Sequence, residues 1–110
     1  MSKYRGIALL LLVACNTLAD TPPGLLEREK FTEVLMGAQL IEARMNHEMV
    51  IDKRADSPVK AYYDSLFVQK GITEEEFTLT FRYYSERPKD LKAIYETVLT
   101  RLGQAQDSLQ

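Results

Sequence analysis

From Leu26 to Leu102 the apolar side chains recur three and four positions apart, and no segment alternates apolar with polar residues for long enough to make a strand. That spacing confines the chain to helices, each with one apolar stripe to bury. The first runs from about Leu26 to Met49 on Phe31, Leu35, Ala38, Ile41, Met45 and Met49, widened by Val34 and Leu40, and would be about 36 Å long. Asp52 to Asp56 is a polar break. Ser57-Pro58 then sets a capping hydroxyl before a proline at the first helical position of a second helix, which carries Val59, Tyr62, Tyr63, Leu66 and Phe67 and stops at Lys70-Gly71. Thr73-Glu74-Glu75-Glu76 reads as a capping box opening a third helix, Glu74 to about Ser85, with Phe77, Phe81 and Tyr84 on one face. Pro88 opens the fourth, with Arg87 or Ser85 in its capping region. Leu91, Tyr95, Val98, Leu102, Ala105 and Leu109 form its seam, reinforced by Ile94 and Leu99, and Gly103 predicts fraying beyond Leu102. Four helices joined by short loops predict an all-α fold, a small bundle of antiparallel neighbours.

Ahead of the bundle the chain has a different grammar. Ile7 to Ala14 are all apolar, preceded by Lys3 and Arg5 and followed by Cys15, the only cysteine. As a helix this run rises about 12 Å, against a hydrocarbon core of about 30 Å, so it is too short to span a bilayer. It also lacks the polar face of a surface helix. A basic region followed by a short apolar one reads as a secretory signal; the bland alternative is a buried thiol at the end of a hydrophobic helix. Leu12-Val13-Ala14-Cys15 resembles the lipobox of bacterial lipoproteins. The resemblance implies cleavage between Ala14 and Cys15, a diacylglycerol on the Cys15 thiol and, with further acyl chains, stable attachment to a membrane. Asn16 stands where an Asp would imply inner-membrane retention, and no acidic cluster follows. The expectation is therefore the cell envelope, at the outer membrane and facing the periplasm.

The resulting plan is a signal peptide at residues 1–14, a lipidated tether at 15–24 ending in Pro22-Pro23-Gly24, a helical domain at 25–103 and a polar tail at 104–110. A hydrophobic content of 45% is enough to fold rather than stay disordered. Loss of Lys3 and Arg5 would leave 12 cations against 16 acids. With both signs interspersed, nucleic acid is not an expected partner.

Gly37-Ala38-Gln39-Leu40-Ile41-Glu42-Ala43, Tyr62-Tyr63, Gly71-Ile72-Thr73, Phe77, Tyr83-Tyr84, Pro88, Leu91 and Ile94-Tyr95 together resemble the helical lipoprotein family known as domain of unknown function four-two-nine-six. The resemblance covers roughly residues 22–102. It implies a small lipid-anchored helical protein and brings no catalytic residues with it.

Catalysis has no candidate site here. The one thiol is committed to lipid if the lipobox is real, and the one histidine, His47, reads as an exposed structural residue near a helix end. No HExxH or glycine-rich phosphate loop exists, so neither metal nor cofactor is expected. The three glutamates at Glu74 to Glu76 are accounted for by the cap. Pairs such as Glu42 and Glu48 are uninformative among 16 acidic residues. The tyrosine doublets say more, since adjacent rings stand about 100° apart on a helix. One of each pair can enter the core while its neighbour stays at the rim. Tyr63 and Tyr83, with Arg82 and Arg87 nearby, are thus the expected partner surface, and Met45 and Met49 read as core fillers. The leading expectation is a non-catalytic, lipid-anchored adaptor or accessory subunit of another envelope protein. Its alternatives are a chaperone-like module for unfolded periplasmic or outer-membrane clients and an envelope enzyme with an unrecognised site.

Overall fold

The computed structural model describes residues 21–53 and 58–108. Four helices follow one another: α1, Arg28–Asn46, prolonged by a π-helical turn at His47–Ile51; α2, Val59–Lys70; α3, Glu74–Ser85; and α4, Pro88–Ser108. Among the described residues there is no strand. The expected small all-α bundle is what the chain forms. The signal segment, Ala14 and Cys15, most of the tether, Ser57 and Leu109 lie outside the described residues.

Helix ends follow local chemistry. Thr73 accepts from the Glu76 amide at 3.1 Å while Glu76 reaches back to the Thr73 amide at 2.8 Å, so the capping box forms in full. Gly71 ends α2 in the left-handed region at φ 68°, where its amide and that of Ile72 close onto the last turn. Helix α1 ends differently: the Asp52 amide reaches back five residues to the His47 carbonyl at 3.1 Å, and Lys53 then turns the chain at φ 57°.

Helix α1 is the spine. Both α2 and α4 pack on it, and α3 packs on α4. Tyr62 meets Glu48, Tyr63 meets Glu42, and Leu66 lies against Gly37, so α2 runs antiparallel to the second half of α1. Two apolar clusters result. Leu26, Phe31, Leu35, Tyr84, Ile94 and Val98 form the larger; Val34, Ala38, Leu66 and Phe67 form the smaller. Ile72 and Phe77 pack against both and join them. Phe31 is the hub, fully buried and stacked on Tyr84 with ring centroids 5.3 Å apart.

The segment before α1 belongs to the fold. Leu26 is in the core, and its amide donates to the hydroxyl of Thr80 in α3 at 3.0 Å. Gly24 turns at φ 84° beside Leu79. The chain therefore enters the bundle across α3.

Several expectations need correction. Met49 was assigned to the core, yet half of its surface is exposed, and Leu40 is more exposed still. The reason is cover: the larger cluster sits on the first half of α1, and among the described residues it is mainly α2 that lies against the second half, so the stripe outlasts its partners. Leu99 is exposed, one step around α4 from the buried Val98. Phe81 contacts Phe31 and Phe77 edge-on but keeps 37% of its surface exposed, a rim residue more than a core one. Pro58 precedes the first helical residue instead of occupying it, its carbonyl accepting from Tyr62. Helix α4 runs through Gly103 to Ser108, because an exposed glycine weakens a helix by only about 1 kcal/mol and does not remove an amide.

Candidate functional site

The second half of α1 and the first half of α2 form a two-helix arm whose polar contacts are concentrated on one residue. Glu48, in the π turn, is buried, and its Oε1 accepts from the Tyr62 hydroxyl at 2.6 Å and from Arg44 Nε at 3.1 Å. The Arg44 guanidinium also lies over the Tyr62 ring, 4.3 Å from its centroid. Nearly two turns back, Tyr63 donates to Glu42 at 2.7 Å. Burial, and then the Glu42 carboxylate accepting from the protonated phenol, push the Tyr63 hydroxyl up to about 12. Each member of the doublet is thus half-buried and tied to α1.

On one side of this arm an open hollow of about 270 Å³ is lined by Gly37, Leu40, Ile41, Arg44, Tyr62 and Leu66, with Ser65 and Gln69 at its edge. Beyond it α1 ends in Met49, Val50 and Ile51, which are 50%, 61% and 66% exposed. Contiguous apolar residues this exposed are more than the scattered surface leucines of an ordinary monomer.

The other sequence-named residues sit on α3 and at the α3–α4 corner. Tyr84 is buried and Tyr83 lies at the rim, edge-on to it at 5.0 Å, as the doublet pattern predicts. Arg87 stacks 3.6 Å from the Tyr83 ring centroid and donates to the Tyr83 carbonyl, so its guanidinium is fixed in place. Arg82 is exposed and borders a shallow hollow with Phe77, Thr78 and Phe81. Tyr63 packs on the smaller cluster and Tyr83 on the larger. They contribute to two surfaces and not to one aromatic groove. Cys15 and Ala14 lie outside the described residues.

Sequence reasoning passed over Glu42 and Glu48, which are the acceptors for the Tyr63 and Tyr62 hydroxyls. Nothing distinguishes two glutamates among 16 acidic residues. The available signal was on the other helix: a phenol entering a core needs an acceptor, and a doublet needs two. His47, at the start of the π turn, is exposed. Among the described residues no group of three or more histidine, cysteine or acidic side chains is placed to hold a metal ion, and no helix is long and apolar enough to cross a membrane.

A family model described as a domain of unknown function (DUF4296) matches residues 22–108, from the segment that enters across α3 to the end of α4. No curated protein and no solved structure matches the chain.

Proposed function

The chain belongs to the DUF4296 family, and for this member we propose the role of a lipid-anchored, non-catalytic adaptor that binds another protein of the cell envelope. The observation that carries it is the end of α1, where Met49, Val50 and Ile51 stand exposed. Apolar side chains there are presented on a helix braced by Glu48 and Tyr62, which is the form of a preorganised contact surface. Tyr63 belongs to the same arm. Tyr83 and Arg87 offer a second contact at the α3–α4 corner.

The anchor is Cys15, exposed as a new N-terminus by cleavage after Ala14, at the periplasmic face of the outer membrane. Replacing Cys15 with Ala removes incorporation of a labelled lipid precursor; labelling that persists refutes the anchor. A photo-crosslinking residue at Val50, used in living cells and read by mass spectrometry, tests the adaptor role. One dominant envelope protein is the expected product, lost in Ile51→Asp. A spread of many unfolded clients would instead indicate the chaperone-like role, which adaptable methionines at Met45 and Met49 would suit.

A further inference from the structure

The entry path of the chain fixes which part of the bundle stands closest to the anchor. Gly24 turns against Leu79, and Leu26 is held both by core burial and by the Thr80 hydroxyl, so the first described residues enter the domain over α3. From Cys15 to Gly24 the chain spans at most about 32 Å fully extended. The far end of α1 is a further 33 Å or so from that entry, at 1.5 Å per residue from Arg28 to Val50. The α3 surface is therefore the part of the bundle nearest the tether, whereas the end of α1 lies about a full tether length beyond it.

The outward face of α3 has the chemistry for that contact. Thr78, Phe81, Arg82 and Ser85 are three and four positions apart and exposed, opposite the buried Thr80 and Tyr84. Phe77, Thr78, Phe81 and Arg82 border an open, largely apolar hollow of about 390 Å³. An aromatic ring beside a guanidinium suits the membrane interface, the ring entering the acyl boundary and the cation staying at the phosphates. Glu74 and Glu75, one turn before Thr78, border a neighbouring hollow with Thr78 and Arg82, so carboxylates flank the start of this face and the guanidinium stands at its centre.

We propose that the outward face of α3, with Phe81 and Arg82 at its centre, rests on the bilayer to which Cys15 is attached, leaving the end of α1 directed away for a protein partner. The inference rests on lipidation of Cys15, and its test separates the two. The full acylated protein is purified from bacterial membranes, its acyl mass is measured, and it is reconstituted into vesicles of phosphatidylethanolamine and phosphatidylglycerol. Acylation occupies the only native thiol, so an environment-sensitive fluorophore can be placed singly at Thr78→Cys, Ser85→Cys or Val50→Cys. The expected result is at least threefold stronger quenching by brominated acyl chains at positions 78 and 85 than at 50. Arg82→Glu should reduce the quenching at 78 about twofold, and omission of phosphatidylglycerol should have a similar effect. Equal quenching, or stronger quenching at 50, with the acyl mass present overturns this orientation and leaves the anchor standing. Absence of the acyl mass overturns the anchor, and this inference with it.

Discussion

The backbone N–H of Leu26 donates to the Thr80 hydroxyl at 3.0 Å, joining the chain's entry segment to α3 across 54 positions of sequence. Thr80 is fully buried and its hydroxyl donates in turn to the Glu76 carbonyl at 2.7 Å, so one side chain satisfies two backbone groups. Thr80→Val keeps the shape and removes the acceptor, leaving a buried amide without a partner, which costs about 1–3 kcal/mol. Thr80→Ser keeps the bond and loses a methyl, at about 1 kcal/mol. Urea denaturation should rank wild type, Ser and Val in that order, and hydrogen exchange at Leu26 should accelerate most in Val. A Val variant as stable as wild type would refute the role of the bond.

The π turn depends on Glu48. Its carboxylate is buried between Tyr62 and Arg44, and hydrogen bonds with a charged partner are worth about 1.5–3 kcal/mol each. Glu48→Ala should lose about 2–3 kcal/mol, and a double-mutant cycle with Tyr62→Phe should show coupling of about 1–2 kcal/mol. Glu42→Ala, which removes only the exposed bond to Tyr63, should lose less than 1 kcal/mol. Additive single effects at Glu48 and Tyr62 would exclude the pair as a unit.

High pH should destabilise the fold through Tyr63. Its hydroxyl titrates at about 12 in the folded chain, against about 10 when unfolded. The folded state therefore holds the phenolic proton more tightly, and the stability this represents is whole below about pH 10 and disappears as pH rises toward 12. Burial raises Tyr84 in the same direction. Tyrosinate absorbance should show one or more phenols titrating late, and Tyr63→Phe should flatten the loss of stability over that window. An unaltered pH profile in Tyr63→Phe would contradict this.

The acid side depends on a different pair. Arg101 near the end of α4 holds Glu29 at the start of α1 with two bonds, at 2.6 and 3.0 Å, and keeps that carboxyl below its usual range. A depressed carboxylate contributes stability above its unfolded value, lost as pH falls through the folded one. Arg101→Gln should lower the melting midpoint at neutral pH, and the difference from wild type should shrink as acid protonates Glu29. Both residues are solvent-exposed, so high salt should shrink the neutral-pH difference.

What was legible in the sequence was whatever is local. The Thr73 capping box, the Gly71 stop and the stripe of α4 each depend on residues within a turn or two of one another. The burial of Tyr84 beside the rim position of Tyr83 was also readable, because a 100° step decides it. What was not legible depends on which helix covers which. The periodicity of α1 continues to Met49, but cover from α4 ends earlier, and no local pattern records that. Glu42, Glu48 and Thr80 acquire their roles from partners 14 to 54 positions away. The π turn likewise leaves no mark in an apolar stripe. The surface at the end of α1 was missed for the same reason: its residues look like core until the structure shows none of the described residues packed over them.

Three glycines separate backbone strain, space and intrinsic propensity. Gly71 has φ 68° and open space around its missing side chain, so Gly71→Ala tests conformation alone and should lose about 1 kcal/mol. Gly37 has helical backbone, but a Cβ there would stand 2.4 Å from Leu66 Cδ1 and within 3.3 Å of two further atoms of that side chain. The gain of about 1 kcal/mol in helix propensity from an added side chain cannot offset displacing a buried leucine, and Gly37→Val, bulkier and β-branched, should lose about 2 kcal/mol. Gly103 meets nothing within 4 Å and sits in a helix, so Gly103→Ala should stabilise α4 by about 0.5–1 kcal/mol. Urea midpoints that fall, fall further and rise in that order would establish that α2 approaches α1 at Gly37 and that α4 is helical through residue 103. If Gly103→Ala were destabilising, the helix would end where the sequence pattern alone places its end, at Leu102.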